Sequence, residues 1–210
     1  MMHVNSIKNT VKTIAVSLLA VGLFAVNVVP ETTQSVSAAK VTKTAKKVKK
    51  SKKSATKSSK LTAPAYTETE FDKTASQAFL NYVNKWRNSK GLKSLKSNYS
   101  NLKKTSALRA YECNTSYSHT RPNGTSCFTA FKTYGVSMKE TGEVLGMATG
   151  SYAEDADKFA YTMFYEMVYN DAASNWEHRD ILKSKSLTHM AVSVYQGSNG
   201  TFLAGDLCKK

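Results

Sequence analysis

Apolar positions along the C-terminal two thirds of the chain fall into two periods. Phe71, Ala75, Phe79, Tyr82, Val83 and Trp86 recur at helical spacing, and Gly91 is a natural stop, which predicts one amphipathic helix. A second helix is predicted from about Asn101 to Ser116, with Leu102, Ala110 and Cys113 facing inward. The widest stripe comes next: Ala156, Phe159, Ala160, Met163, Phe164, Met167 and Val168 repeat every 3.6 residues. Ser174 and Glu177 have the spacing of a capping box, which predicts a short helix carrying His178. The period then changes. Met190, Val192 and Val194 alternate with Ala191, Ser193 and Tyr195, and Gly197-Ser198-Asn199-Gly200 separates them from Thr201–Leu207, the pattern of a β-hairpin. Helices first and strands late predict an α+β domain in which helices cover a sheet. The stretch is one domain long, and no internal repeat is visible.

The N-terminal third follows other rules. Lys8 and Lys12 precede an apolar run from Thr13 to Val29, and Val36-Ser37-Ala38 supplies small residues, so a secretory signal peptide cut after Ala38 or Ala39 is expected. The run is as long as the shorter membrane spans, which need ~17–25 residues. The small-residue site favours a cleaved signal over a retained anchor, so no transmembrane span is expected afterwards. From Lys40 to Lys60, ten residues are Lys, and no acid lies between Glu31 and Glu68. Such a tract buries too little apolar surface to offset its ordering entropy and is expected to be disordered. The resulting map is 1–38 signal peptide, 39–69 Lys-rich linker and 70–210 folded domain.

That tract holds most of the charge. The chain carries +15, while residues 61–210 hold 18 Lys and Arg against 14 Asp and Glu, leaving +4. Export argues against nucleic acid as the partner of such a tail. Anionic wall polymers such as teichoic acids, or anionic lipid headgroups, fit it better. The plain alternative is a soluble, self-repelling spacer. The expected location is secreted, extracellular or wall-associated.

Three motifs stand out. Ser118-His119-Thr120-Arg121-Pro122-Asn123-Gly124 contains a turn, because Pro122 fixes its own φ and Gly124 permits positive φ; it presents His119 and Arg121 on a rigid corner. Gly142-Glu143-Val144 follows, then Trp176-Glu177-His178-Arg179-Asp180-Ile181-Leu182. In this order, with Arg109-Ala110-Tyr111-Glu112 before them, they resemble the bacterial form of the CAP superfamily, which includes cysteine-rich secretory proteins, antigen 5 and pathogenesis-related-1 proteins. The resemblance covers roughly residues 70–207. It departs from the usual pattern at Val144, where Asn is common, and at Asn175-Trp176-Glu177, where Ser-Pro-Gly is common.

The resemblance implies a three-layer α-β-α sandwich and a cleft floored by two histidines and two acids. Carried over, these are His119, Glu143, His178 and a helix-borne acid. Glu166 is chosen for the last because it lies only ~20° from Phe159 around its helix, at the edge of the buried stripe; Glu177 is assigned to the capping box instead. Arg121 and Arg179 complete the expected cleft. Two imidazoles and two carboxylates can bind a divalent cation such as zinc, here through His119, Glu143 and His178. They can share acid and base roles in hydrolysis. Or they can form a satisfied buried network. No cofactor is required by the pattern, and no His-x-x-x-His, Cys-x-x-Cys or Gly-x-Ser-x-Gly motif occurs. A Cys–His hydrolase is conceivable, although Cys113 lies on an inward helix face.

Export also permits a disulfide. A Cys113–Cys127 bridge would tie the second helix to the His119 turn, leaving Cys208 free or paired with another chain. His189 is expected as a half-exposed strand residue. Trp176 is expected to pack beneath the cleft and hold His178 and Arg179 towards it, with Arg179 meeting Asp171 or an anionic ligand. The functional expectation is an exported, Gram-positive surface protein that binds a lipid, glycan or protein in its cleft. The alternative is a metal-dependent hydrolase, either a peptidase or a wall-modifying enzyme.

Overall fold

The computed structural model describes residues 34–42, 67–136 and 139–210. The expected basic and apolar parts of the signal and nearly all of the Lys tract lie outside the described residues. Strand β1 (Gln34–Thr42) runs across the boundary expected at Ala38 and Ala39. Helices α1 (Glu70–Ser89), α2 (Ser100–Cys113) and α3 (Phe128–Thr133) precede strand β2 (Glu140–Ala148). Helices α4 (Ala156–Tyr169) and α5 (Glu177–Leu182) follow, and strands β3 (His189–Gly197) and β4 (Gly200–Cys208) close the chain. Among the described residues no helix is long and apolar enough to cross a membrane.

The strands form one antiparallel sheet in the order β1-β2-β4-β3. Helices α1, α4 and α5 cover one face, and α2 with α3 covers the other, so the expected three-layer α+β sandwich is present. The larger core lies between the sheet and the α1–α4 pair, where Phe79, Val83, Phe159, Met163 and Met167 meet Val144, Met190 and Val194 with no exposed surface. Helix α1 starts where Thr69 and Asp72 exchange side-chain-to-backbone hydrogen bonds at 3.1 and 2.9 Å, a reciprocal cap. Helix α4 starts at Asp155, whose carboxylate accepts from the Lys158 backbone N–H.

Strand β2 has the burial of a central strand, and its two sides meet different layers. Glu143 and Leu145 face α2, while Val144 and Ala148 face α1 and α4. Its sequence therefore lacks the polar/apolar alternation that would have predicted a strand. At Gly146 a Cβ would come within 2.6 Å of Met163 Sδ, so glycine here lets α4 approach the sheet.

Several expectations fail locally. Helix α2 ends at Cys113 rather than Ser116. All three cysteines are free and buried, so the expected Cys113–Cys127 bridge is not formed. Cys113 packs with Leu145, Phe202 and Ala204, and Cys208 packs with Leu102, Phe131 and Val136; each thiol is used as a small apolar group in its own cluster. His189 is buried rather than half-exposed, with Nδ1 hydrogen-bonded to Thr188 Oγ1 and its ring edge-on to Tyr99.

Candidate functional site

The His119 turn is a closed loop. Arg121 N–H donates to Thr125 O at 2.7 Å, Gly124 N–H to Arg121 O at 2.8 Å, and Cys127 N–H to His119 O at 2.8 Å. Gly124 takes φ +76°, which its missing Cβ permits. The loop brings Cys127 back beside His119, a proximity that sequence spacing does not reveal. Arg121, expected to face a ligand, is buried and engaged. It donates through Nε and Nη2 to Glu112 and through Nη1 to Thr129, which clamps the loop against α2.

A line of alternating charge runs from this clamp to β2. Glu112 accepts from both Arg121 and Arg109 at 2.7 Å. Arg109 also grips Glu143 with Nε at 2.7 Å and Nη2 at 3.2 Å, and Nη2 donates to Ser118 O. Glu143 accepts from His119 Nδ1 at 2.7 Å. Because Glu143 is an acceptor, Nδ1 carries the hydrogen, and in the neutral ring Nε2 keeps the lone pair. That Nε2 is buried and has no hydrogen-bond partner among the described residues.

The electrostatics follow from burial and pairing. Burial alone would raise the Glu143 pKa, but the His119 hydrogen bond and Arg109 together hold it below the ordinary carboxylate range. Burial opposes the charge on Arg109 as well, yet Glu143 more than offsets it and Arg109 stays firmly protonated. Asp206 sits opposite Glu143 across the β2–β4 ladder, fully buried. Burial first and the Glu143 charge second push its pKa well above the ordinary range. The thiol of Cys127 is pushed up by burial and then by Glu143 and Asp206, and burial raises Cys113 to about 12. Neither thiol is a ready nucleophile at neutral pH.

His119, Cys127 and Glu143 each bring one donor atom to within 4.8 Å of the others. An imidazole nitrogen, a sulfur and a carboxylate oxygen suit a zinc-like cation, and the orphaned Nε2 of His119 marks a position lacking a partner. Cys127 was not among the expected ligands, while His178 was.

The structure places His178 elsewhere. It lies on α5, whose Ile181 packs against the Gly142 side of β2, opposite the side carrying Glu143. His178 Nδ1 bonds Asp171 Oδ1 and, at 3.1 Å, Ser174 Oγ; Ser174 Oγ also bonds Asp171. Serine and acid share one ring nitrogen, while Nε2 is buried with no partner among the described residues, so these three residues lack the geometry of a hydrolytic triad. Ser174 thus serves Asp171 and His178, and no capping box forms with Glu177. Instead α5 starts from Trp176 in the left-handed region at φ +64°. Trp176 is only half-buried, and the Arg179 guanidinium lies over its ring at 4.0 Å rather than against Asp171. Glu166 is on α4, in the layer across the sheet from Glu143, where it accepts from Asn170 Nδ2.

The model of the CAP family, the cysteine-rich secretory proteins, matches residues 80–207. The chain belongs to this family. Among solved structures, the CAP domain here is similar to an extracellular protein containing an SCP domain from Bacillus anthracis, with 16% identity, a TM-score of 0.52, and coverage of 66% of this chain and 41% of that one. A cysteine-rich secretory protein from Staphylococcus aureus gives 19% identity and a TM-score of 0.49, covering 68% of this chain and 40% of that one. The chain thus spans about two fifths of the length of each, and at these identities the first likeness is one of fold. No curated protein matches the sequence. Arg109, Glu112 and Asp206 are the site residues to which sequence reasoning assigned no role. The first two carried a signal, being three apart within the Arg-Ala-x-Glu segment of the family pattern.

Proposed function

We propose that this CAP-family protein is exported and works at the cell surface or wall by binding rather than by turnover, with its Lys-rich segment as an electrostatic tether. One observation carries the preference for binding. Glu143, the carboxylate beside His119 that a hydrolase would use as base, is gripped by Arg109 and held at a low pKa, which makes it a weak base. The raised pKa values of Cys113 and Cys127 weigh against a thiol nucleophile. The extracellular description of the Bacillus anthracis relative supports the location. The His119–Cys127–Glu143 group is the proposed cation site, with Arg109 and Glu112 as its rigid frame.

The alternative, metal-assisted hydrolysis, draws on the same three donors, since a cation there would have a coordination position left for water. One experiment separates the readings: casein and peptidoglycan turnover with and without zinc, for wild type and His119→Ala, beside calorimetric zinc titration. Zinc binding that is lost in His119→Ala, without turnover in either protein, supports the binder. Zinc-dependent turnover abolished by His119→Ala in a folded protein overturns it.

A further inference from the structure

Where α1 and α5 end, the domain carries two adjoining grooves far richer in positive charge than the domain as a whole. The first, of about 530 Å³, is lined by Arg87, Lys93, Lys96 and Lys185 around Leu92 and Leu187. The second, of about 700 Å³, shares Leu92 and Lys185 with the first and adds Lys40, Lys90, Lys183 and Arg179, with Trp86 in its wall. Among the described residues Asp180 is the only acid in either lining, and it is paired with Lys183 at 2.7 Å. Cations at helix C-termini offset the helix dipole, which accounts for Lys90 and Lys183. It does not account for Lys93, Lys96 and Lys185, which lie outside the helices.

A second observation points the same way. Arg87 is 2% exposed, yet no carboxylate pairs with it among the described residues. Its Nε donates to Lys93 O, and its Nη1 donates to Leu182 O and Ser184 O. Burial lowers its pKa, as expected for a cation held by carbonyls alone. A buried guanidinium without a counter-charge at the wall of a groove rimmed by exposed lysines leaves positive potential facing the groove.

We propose that these joined grooves bind a polyol-phosphate chain, with successive phosphates on Lys93, Lys185 and Arg179 and the carbon links against Leu92. Two grooves sharing a lysine hold more cations than one phosphate uses, which favours a chain over a single ion. Nucleic acid is disfavoured because its bases need open aromatic faces for stacking. Here Trp86 is buried, and Trp176 is covered by Arg179. This groove is separate from the His119–Cys127–Glu143 group, so the inference stands whether or not that group takes a cation or the tail tethers the protein.

The chain's two tryptophans, Trp86 in the groove wall and Trp176 under Arg179, make fluorescence specific for the groove over the Lys-rich tail. The experiment titrates the full chain with poly(glycerol phosphate) at physiological salt. It compares wild type, Lys93→Gln/Lys185→Gln, and a chain with every lysine from 43 to 60 changed to Gln. A saturable fluorescence change is expected, retained when the tail is neutralised and about 30-fold weaker in the groove double variant. Lys93 and Lys185 are exposed, so the double variant keeps its fold, and its melting temperature verifies this. No fluorescence response, an unchanged double variant, or loss of the response on tail neutralisation overturns the proposal. So does equal competition by inorganic phosphate, by oligothymidylate or by phosphatidylglycerol vesicles at matched phosphate.

Discussion

Glu143 and Asp206 lie directly opposite each other on β2 and β4, both without any solvent exposure. Two carboxylates that close in a dry interior do not both ionise. Arg109 and His119 side with Glu143, so the pKa of Glu143 is lowered while burial and the Glu143 charge raise that of Asp206.

The first prediction concerns this pair and pH. Asp206 has a raised folded pKa, so the folded state holds a proton that the unfolded chain releases above about pH 4. Its contribution to stability therefore declines as pH rises from there through the folded value. Glu143 has a lowered pKa; its contribution is present above the ordinary carboxylate range and is lost as pH falls through the folded value. Asp206→Asn keeps a neutral side chain of the same shape, so its melting temperature minus that of wild type should grow between pH 5 and 8. A difference that does not vary with pH would place an ionised Asp206 in the fold.

Breaking the charge line at one partner should cost more than removing a whole pair. Glu143→Gln leaves Arg109 buried with Glu112 alone and should lower stability by about 3–5 kcal/mol in a denaturant titration. The double variant Arg109→Met/Glu143→Leu should recover part of that loss, because no buried charge is then left unpaired at that point. A double variant less stable than Glu143→Gln would contradict this.

Trp176 offers a test of local backbone strain. Full core burial would make Trp176→Ala cost ~3–5 kcal/mol. As a half-buried residue stacked under Arg179, it should cost about 1–2 kcal/mol. Trp176→Gly should be no worse than Trp176→Ala despite removing a further carbon, since glycine takes φ +64° freely. Chemical denaturation of the two variants side by side decides the matter.

The cysteines should report as three protected thiols. Native protein should react slowly with a thiol reagent at pH 8, and unfolding in guanidinium should release three reactive groups per chain. An intact mass two units below the reduced value would show that a disulfide forms instead.

How much of the site was legible follows from what sequence patterns encode. His119 and Glu143 were found because the family motifs name them; His178, named by the same motifs, lies across the sheet. The pattern did not reveal that Arg121 is consumed by Glu112, that Cys127 returns beside His119 through a loop hydrogen bond, or that the Arg179 guanidinium turns to Trp176 while Asp171 bonds the His178 ring. Each is a choice among several partners of suitable chemistry, and the packed chain makes that choice.

Local period was sufficient for α1, α4 and the β3–β4 hairpin, because each buries one face and shows the other to water or a second layer. It was insufficient for β2, which is covered on both sides and so has no alternation to read. By itself the sequence determined the layered α+β class, the family and the uneven charge between tail and domain, all of which depend on neighbours along the chain. Tertiary structure alone decided which face of the sheet each histidine occupies, which carboxylate of the Glu143–Asp206 pair has the raised pKa, and where Lys93, Lys185 and Arg179 converge. Those outcomes depend on strand register and helix docking, which bring together residues distant in sequence, and on the loss of water, which makes each buried charge answer to its nearest partner.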